Sequence, residues 1–249
     1  MSSQIPKLTP KGPSGITRQY LLFYNAANFF GWTVLTIRTV RHLINQSVTS
    51  RSLIFDIPGI FADTYSPLLQ VTQSLALLEI LHSLIGIVRA PVVTTTMQVA
   101  SRIFVVWGVL YPFQSSLIGS GSSFFGFGLG KGGDGLAELA YLGCLLAWGV
   151  TEVIRYGFFT MQVNGGVETV PGWWQWLRYN MFYILYPIGI SSEVTLSYKA
   201  LTAAKEFHPI YWWFIVAVLA VYVPGSYVMY THMIKQRRRT AAKEVKKTQ

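Results

Sequence analysis

The stretch Tyr186-Pro187-Ile188-Gly189-Ile190-Ser191-Ser192-Glu193 sets a phenol and a carboxyl group seven residues apart inside the apolar segment 173–194. Seven residues make two helical turns, so Tyr186 and Glu193 share a helix face, about 10.5 Å apart along the axis. Both groups can give and take protons, and neither satisfies the other across that gap. Pro187 withdraws the helical hydrogen bond from the carbonyl of Tyr183 and tends to kink the chain, while Gly189 lets another group come close. In a bilayer such an opened backbone is tolerated only where it packs in protein or faces a cavity. The pattern predicts a pocket lined by Tyr186 and Glu193, with Pro187 and Gly189 shaping it. The plainer alternative is a kinked helix whose glutamate reaches out to the interface.

Few other ionisable residues lie in apolar surroundings: Glu79, His82 and Arg89, then Arg102, then Glu152 and Arg155, then Arg178. Each is costly in lipid and must be paired or line a cavity. Glu152 and Arg155 stand at i, i+3 and can pair on one helix face, and Glu79 and His82 have the same spacing. These pairs read as structural or catalytic with equal weight. Asn25 and Asn28 can hydrogen-bond a neighbouring helix.

The elements that must position these groups are transmembrane helices. Of 249 residues, 51% are hydrophobic and 12% charged, about half the charged fraction of a soluble protein. Eight Trp, fourteen Tyr and fifteen Phe supply the aromatics expected at lipid–water interfaces. Six windows, near 20–40, 68–88, 92–113, 137–159, 174–195 and 210–234, are each long enough to cross a bilayer, at roughly 20 residues apiece. The expected fold is an all-α, six-transmembrane-helix bundle: an N-terminal tail (1–19), a membrane domain (20–234) and a basic tail (235–249). No cleavable signal precedes the first window, which is read as the insertion signal itself.

Thirteen Lys and Arg fall on the side shared by both tails and six on the other, Arg102 excluded, so the positive-inside rule places both termini in the cytosol. Seven of these cations lie in the last fifteen residues, which accounts for much of the net charge of +10. No basic folded domain accompanies that tail, and nucleic acid is not an expected partner. The single cysteine, Cys144, excludes an intrachain disulfide framework and a cysteine-based metal cluster. The glycine-rich stretch 119–135 lacks the Ser or Thr that a phosphate-binding loop places after its Lys, since Gly132 follows Lys131. It reads as a lumenal connector, and Asn45 opens a glycosylation sequon on the same side.

The runs LRYNMFYILYPIGISSE, LLEILHSLIGIVRAP, TTTMQVASRIFVVW and AWGVTEVIRYGFF resemble the very-long-chain 3-hydroxyacyl-CoA dehydratases, also called protein-tyrosine-phosphatase-like proteins. The resemblance extends from about Tyr20 to Met233. The family pattern Y-P-x-G-x-x-x-E is met by Tyr186, Pro187, Gly189 and Glu193, which puts the catalytic pair on Tyr186 and Glu193. A phosphatase would need a cysteine six residues before Arg89; Ser83 stands there and cannot supply a thiolate. The resemblance implies an endoplasmic-reticulum membrane enzyme of fatty-acid elongation, in contact with membrane lipid, the condensing enzyme and the 3-ketoacyl-CoA and enoyl-CoA reductases. Lys246 and Lys247 in the terminal KKTQ match a dilysine retrieval signal.

The implied reaction removes water from a 3-hydroxyacyl-CoA, and one acid and one base suffice for it without metal or redox cofactor. Arg89, Arg155 and Arg178 fall at the cytosolic ends of their helices, where they could grip the phosphates of coenzyme A or serve as ordinary positive-inside anchors. The acyl tail would lie in an apolar tunnel within the bundle. A scaffold without catalysis is the alternative, and it would have no use for a costly buried carboxylate. A transporter is less favoured, because the two halves show no repeat and a single Pro-Gly interruption beside a polar pair is expected.

Overall fold

The computed structural model describes residues 15–50, 56–88, 90–119 and 133–248, and helices are the only regular structure among them. In α1 (Gly15–Ser50) the buried residues Leu21, Tyr24, Asn28, Trp32, Leu35 and Thr39 recur every three or four positions, which is one face of a helix. That face lies against α7 (Gly135–Gly165), the hub of the bundle, which packs on its other side against α9 (Phe182–Lys199). Asp134 starts α7 by accepting hydrogen bonds from the N–H groups of Leu136 (2.9 Å) and Ala137 (3.1 Å). Lys199, at the end of α9, binds the same carboxylate at 2.8 Å and holds it below the usual aspartate range.

Two glycines set how closely these helices meet. A methyl group at Gly143 would collide with the Ser192 hydroxyl of α9, and one at Gly149 with the Thr36 hydroxyl of α1. Small residues facing polar side chains allow this close approach between membrane helices.

Among the described residues, three runs are long and apolar enough to cross a membrane: Val92–Leu117, Gly135–Gly165 and Pro209–Arg238. The sequence windows suggested six. The remaining α1 is long enough, but Asn25, Asn28, Arg38, Arg41 and His42 dilute its apolar character. The second window is preceded by α2 (Ile57–Thr64) and a π-helical turn (Tyr65–Leu69) that contains Pro67, and is itself divided at Ala76 into α3 (Gln70–Leu75) and α4 (Leu77–Leu84). The third comprises α5 (Val92–Ile103), a π-helical stretch (Phe104–Leu110) and α6 (Tyr111–Leu117). The fifth breaks at Met181 into α8 (Gly172–Asn180) and α9, and α10 (Leu201–Phe207) follows. The last helix, α11 (Pro209–Thr248), carries the chain on through the basic segment. Most of the glycine-rich connector, residues 120–132, lies outside the described residues.

Burial separates the centre from the rim. The most apolar window of α7 is 61% buried and that of α11 only 17%, and α11 turns Trp213, Phe214, Val221, Val223, Tyr227 and Val228 outward. Apolar side chains facing away from the protein along a helix this long are what a lipid surround requires.

Candidate active site

Glu193 is buried where α9 meets α7 and α11. Trp148 of α7 donates its indole N–H to Glu193 Oε1 at 2.9 Å, and Tyr222 of α11 donates its hydroxyl to Oε2 at 2.9 Å. Three helices thus converge on one carboxyl group, and both of its partners are neutral. The guanidinium of Arg102 lies 5.6 Å from the centre of the Trp148 ring, within range of a cation–π attraction that holds the indole.

Tyr186, two turns earlier on α9, is half-buried and donates its hydroxyl to the carbonyl of Ser226 at 3.2 Å. Its ring stacks on Tyr230, with centroids 5.6 Å apart and planes 19° from parallel. Tyr222, Ser226 and Tyr230 follow one another at i, i+4 on α11, so a single stripe of that helix meets both members of the pair. Farther along, Arg237 Nε donates to Asn180 Oδ1 at 3.1 Å. The contacts 193–222, 186–226 and 180–237 trace an antiparallel seam between α8–α9 and α11.

Tyr222 and Trp148 were not singled out from the sequence, although both left signals there. Tyr222-Val223-Pro224-Gly225-Ser226 is a second Pro-Gly interruption beside polar residues, in the last span, which corrects the expectation of a single one. Trp148 is a tryptophan in the middle of an apolar helix rather than at its end, and a buried indole N–H needs an acceptor. Gly189 is buried, yet a methyl group there would sit 3.7 Å from Ala147 Cβ, an ordinary contact. The close approach expected at Gly189 occurs instead at Gly143 against Ser192. Pro187 lies within α9 on its exposed side.

The other charged residues form a separate network. Arg155 directs Nη1 and Nη2 to the two oxygens of Glu79 (2.6 and 2.7 Å) and Nε to Glu152 (2.7 Å). The second oxygen of Glu152 takes Arg102, and Tyr156 donates to Glu79. The Glu152–Arg155 pair expected at i, i+3 is present, whereas His82 bonds the Tyr20 hydroxyl (2.7 Å) and leaves Glu79 to Arg155. All three nitrogens of the Arg155 guanidinium are therefore taken up by carboxylates. The guanidinium of Arg178 lies over Phe158 and Phe159, 4.4 and 4.5 Å from the ring centres, with its buried Nε unpartnered. Arg89 lies outside the described residues. Ser83, in the position a phosphatase would give to cysteine, donates to the carbonyl of Ala90 at 2.8 Å.

The family model described as protein tyrosine phosphatase-like protein, PTPLA, matches residues 73–243, which hold both carboxylate clusters and the whole seam. The chain belongs to the PTPLA family. A Schizosaccharomyces pombe protein named probable very-long-chain (3R)-3-hydroxyacyl-CoA dehydratase is 37% identical to this PTPLA chain, covering 89% of it and 92% of the relative. Very-long-chain (3R)-3-hydroxyacyl-CoA dehydratase PASTICCINO 2 of Arabidopsis thaliana is 34% identical, over 92% and 96% of the two chains. Dehydratase 1 of the same name from Mus musculus is 33% identical, over 91% and 74%. No solved structure matches the chain.

Proposed function

We propose that this PTPLA chain dehydrates 3-hydroxyacyl-CoA to trans-2-enoyl-CoA, the third step of the very-long-chain fatty-acid elongation cycle, with Tyr186 and Glu193 as its acid–base pair. One observation carries the assignment of the site. Glu193 is a buried carboxyl group held at both oxygens by neutral donors from two other helices, on the same seam as the Tyr186 phenol. The relatives bearing the dehydratase name supply the reaction.

In the elimination the C2–H electron pair becomes the C2–C3 π bond, and the C3–O bond breaks. The departing hydroxyl takes a proton and leaves as water. Nothing is oxidised or reduced, so an acceptor for the C2 proton and a donor to the hydroxyl complete the balance. Glu193 serves one carbon and Tyr186 the other, and such positioned proton transfers each contribute typically about 10²–10⁴-fold. Trp148 and Tyr222 orient the carboxyl group. An orientation fixed in advance means that little reorganisation is needed when substrate arrives.

The chain crosses the membrane six times, with both tails in the cytosol and the endoplasmic reticulum as its membrane. The excess of Lys and Arg on the tail side and the outward apolar face of α11 support that reading. The thioester enters the seam from the cytosolic end, and its acyl tail runs into an apolar tunnel within the bundle. Of the arginines proposed for its phosphates, Arg178 packs against Phe158 and Phe159 of α7 rather than on the seam, and Arg89 lies outside the described residues. Arg155 ties helices together through carboxylates instead. An enzyme of this kind acts between a 3-ketoacyl-CoA reductase and an enoyl-CoA reductase, beside the condensing enzyme that begins the cycle.

The test is turnover of the purified protein on a long-chain 3-hydroxyacyl-CoA, with Tyr186→Phe and Glu193→Gln compared at equal folded amount. Loss in both, by about 10²-fold or more, supports the pair. Full turnover in both variants moves the chemistry elsewhere, and no turnover in wild type on any chain length rejects the reaction.

A further inference from the structure

At the α8 end of the seam lies a cleft of about 220 Å³ lined by Gln175, Trp176, Tyr179, Asn180, Arg237 and Thr240. Its composition is unlike the rest of the seam: two aromatic rings, two amides, a hydroxyl and a cation. Arg237 is anchored through Nε to Asn180 Oδ1, and Asn180 is itself fixed by a bond from Nδ2 to the Trp176 carbonyl (2.7 Å). Among the residues whose side chains are described, which on α11 end at Thr240, no carboxylate pairs with Arg237 and no hydrogen bond engages its two terminal nitrogens. Lys235 and Arg238 are exposed beside it. Trp176 is 59% exposed, so an aromatic face is open to a ligand at the rim.

An unspent guanidinium fork recognises phosphate oxygens, and an open indole recognises a planar base. Position narrows the ligand. Arg237 is eleven residues from Ser226 and fifteen from Tyr222 on α11, about 16 and 22 Å along an ideal helix, on the same stripe that faces Tyr186 and Glu193. A ligand whose phosphates lie in the cleft while its reactive carbon reaches the site must have a long, flexible, mostly neutral connection between them. Coenzyme A has that form, with a phosphoadenosine at one end and the pantetheine arm leading to the thioester.

We propose that this cleft seats the phosphoadenosine end of the acyl-CoA, with the adenine against Trp176 and the phosphates on Arg237. This rests on the dehydratase reading and adds a binding residue, Arg237, that lies beyond the arginines picked out from the sequence. The cleft recognises the carrier and leaves the acyl group to the interior.

The experiment compares two substrates in nanodiscs of neutral phosphatidylcholine: a 3-hydroxyacyl-CoA and the same acyl group on pantetheine, which lacks the phosphoadenosine. For Arg237→Gln and, separately, Trp176→Ala, the KM for the CoA thioester should rise about tenfold, as expected for loss of a charge-assisted contact. The kcat/KM for the pantetheine thioester should move less than twofold. A rise shared by both thioesters, or absent from both, overturns the proposal. So does an effect seen only when anionic lipid is added, which would make the cleft a headgroup site. Direct binding of adenosine 3′,5′-bisphosphate to wild type, weakened in both variants, judges the cleft even if neither thioester turns over. In that case the dehydratase reading fails and the cleft is decided on its own.

Discussion

Two buried carboxylate clusters lie within one bundle and are built in opposite ways. Around Glu152 and Glu79 every oxygen faces a guanidinium or a tyrosine, and Arg102 and Arg155 hold α4, α5 and α7 together. Around Glu193 the partners are an indole and a phenol, and no salt bridge forms. A carboxylate locked between two cations stays an anion and acts as a structural tie. One held by neutral donors can change its protonation without breaking an ion pair. The two clusters adjoin through Trp148, whose N–H serves Glu193 while its face meets Arg102. Burial and charge are common to both carboxylates, and the kind of partner is what separates the one proposed for catalysis from the one that ties helices together.

The contrast breaks most visibly on the ion-paired side. Arg155→Ala leaves Glu79 and Glu152 short of a cation in a dry interior, and such loss of one partner costs about 3–5 kcal/mol. Thermal unfolding in detergent should come well below wild type, with loss of folded protein rather than a selective fall in turnover. Wild-type stability would show that the network is dispensable.

A smaller effect probes the glycine that fits α7 to α9. Gly143→Ala forces the Ser192 hydroxyl aside, one residue from Glu193, and overpacking of this kind costs about 1–3 kcal/mol. Gly189→Ala should be neutral or stabilising by up to about 1 kcal/mol, since the added methyl finds ordinary contact distance and alanine is the better helix former. Unfolding midpoints of the two variants, measured together, check the order, and equal effects would contradict the packing described.

Tyr222→Phe sharpens the neutral side. It removes one of two donors to Glu193, a bond worth about 0.5–1.5 kcal/mol, so turnover should drop by up to about tenfold with the fold intact. A loss as large as that of Glu193→Gln would instead place Tyr222 among the reacting groups.

Much of this was legible in the residues themselves. The helical class, the Tyr186–Glu193 face and the Glu152–Arg155 pair follow from composition and from spacings of seven and three, because helix geometry is local. What spacing cannot carry is which helix turns toward which. Glu79 stands at pairing distance from His82 in sequence, yet Arg155 of α7 takes it, and His82 goes to Tyr20 of α1. The two donors to Glu193 arrive from 45 residues before it and 29 after it. Tyr222 was readable in part, through Pro224 and Gly225, once two interrupted helices are allowed to face each other. Continuous crossing helices were expected for the second and fifth windows. Interruptions at Ala76 and at Met181 divide them, since a hydropathy window averages over a break.

The central claim, that Glu193 does chemistry while Glu152 holds helices, is tested most directly by Glu193→Gln and Glu152→Gln side by side. Turnover of a 3-hydroxyacyl-CoA and thermal unfolding would be measured on the same nanodisc samples. Glu193→Gln should unfold close to wild type and lose about 10²-fold or more in turnover. Glu152→Gln should unfold early while its folded fraction still turns over. Wild-type turnover in folded Glu193→Gln, or a folded but inactive Glu152→Gln, would contradict the account.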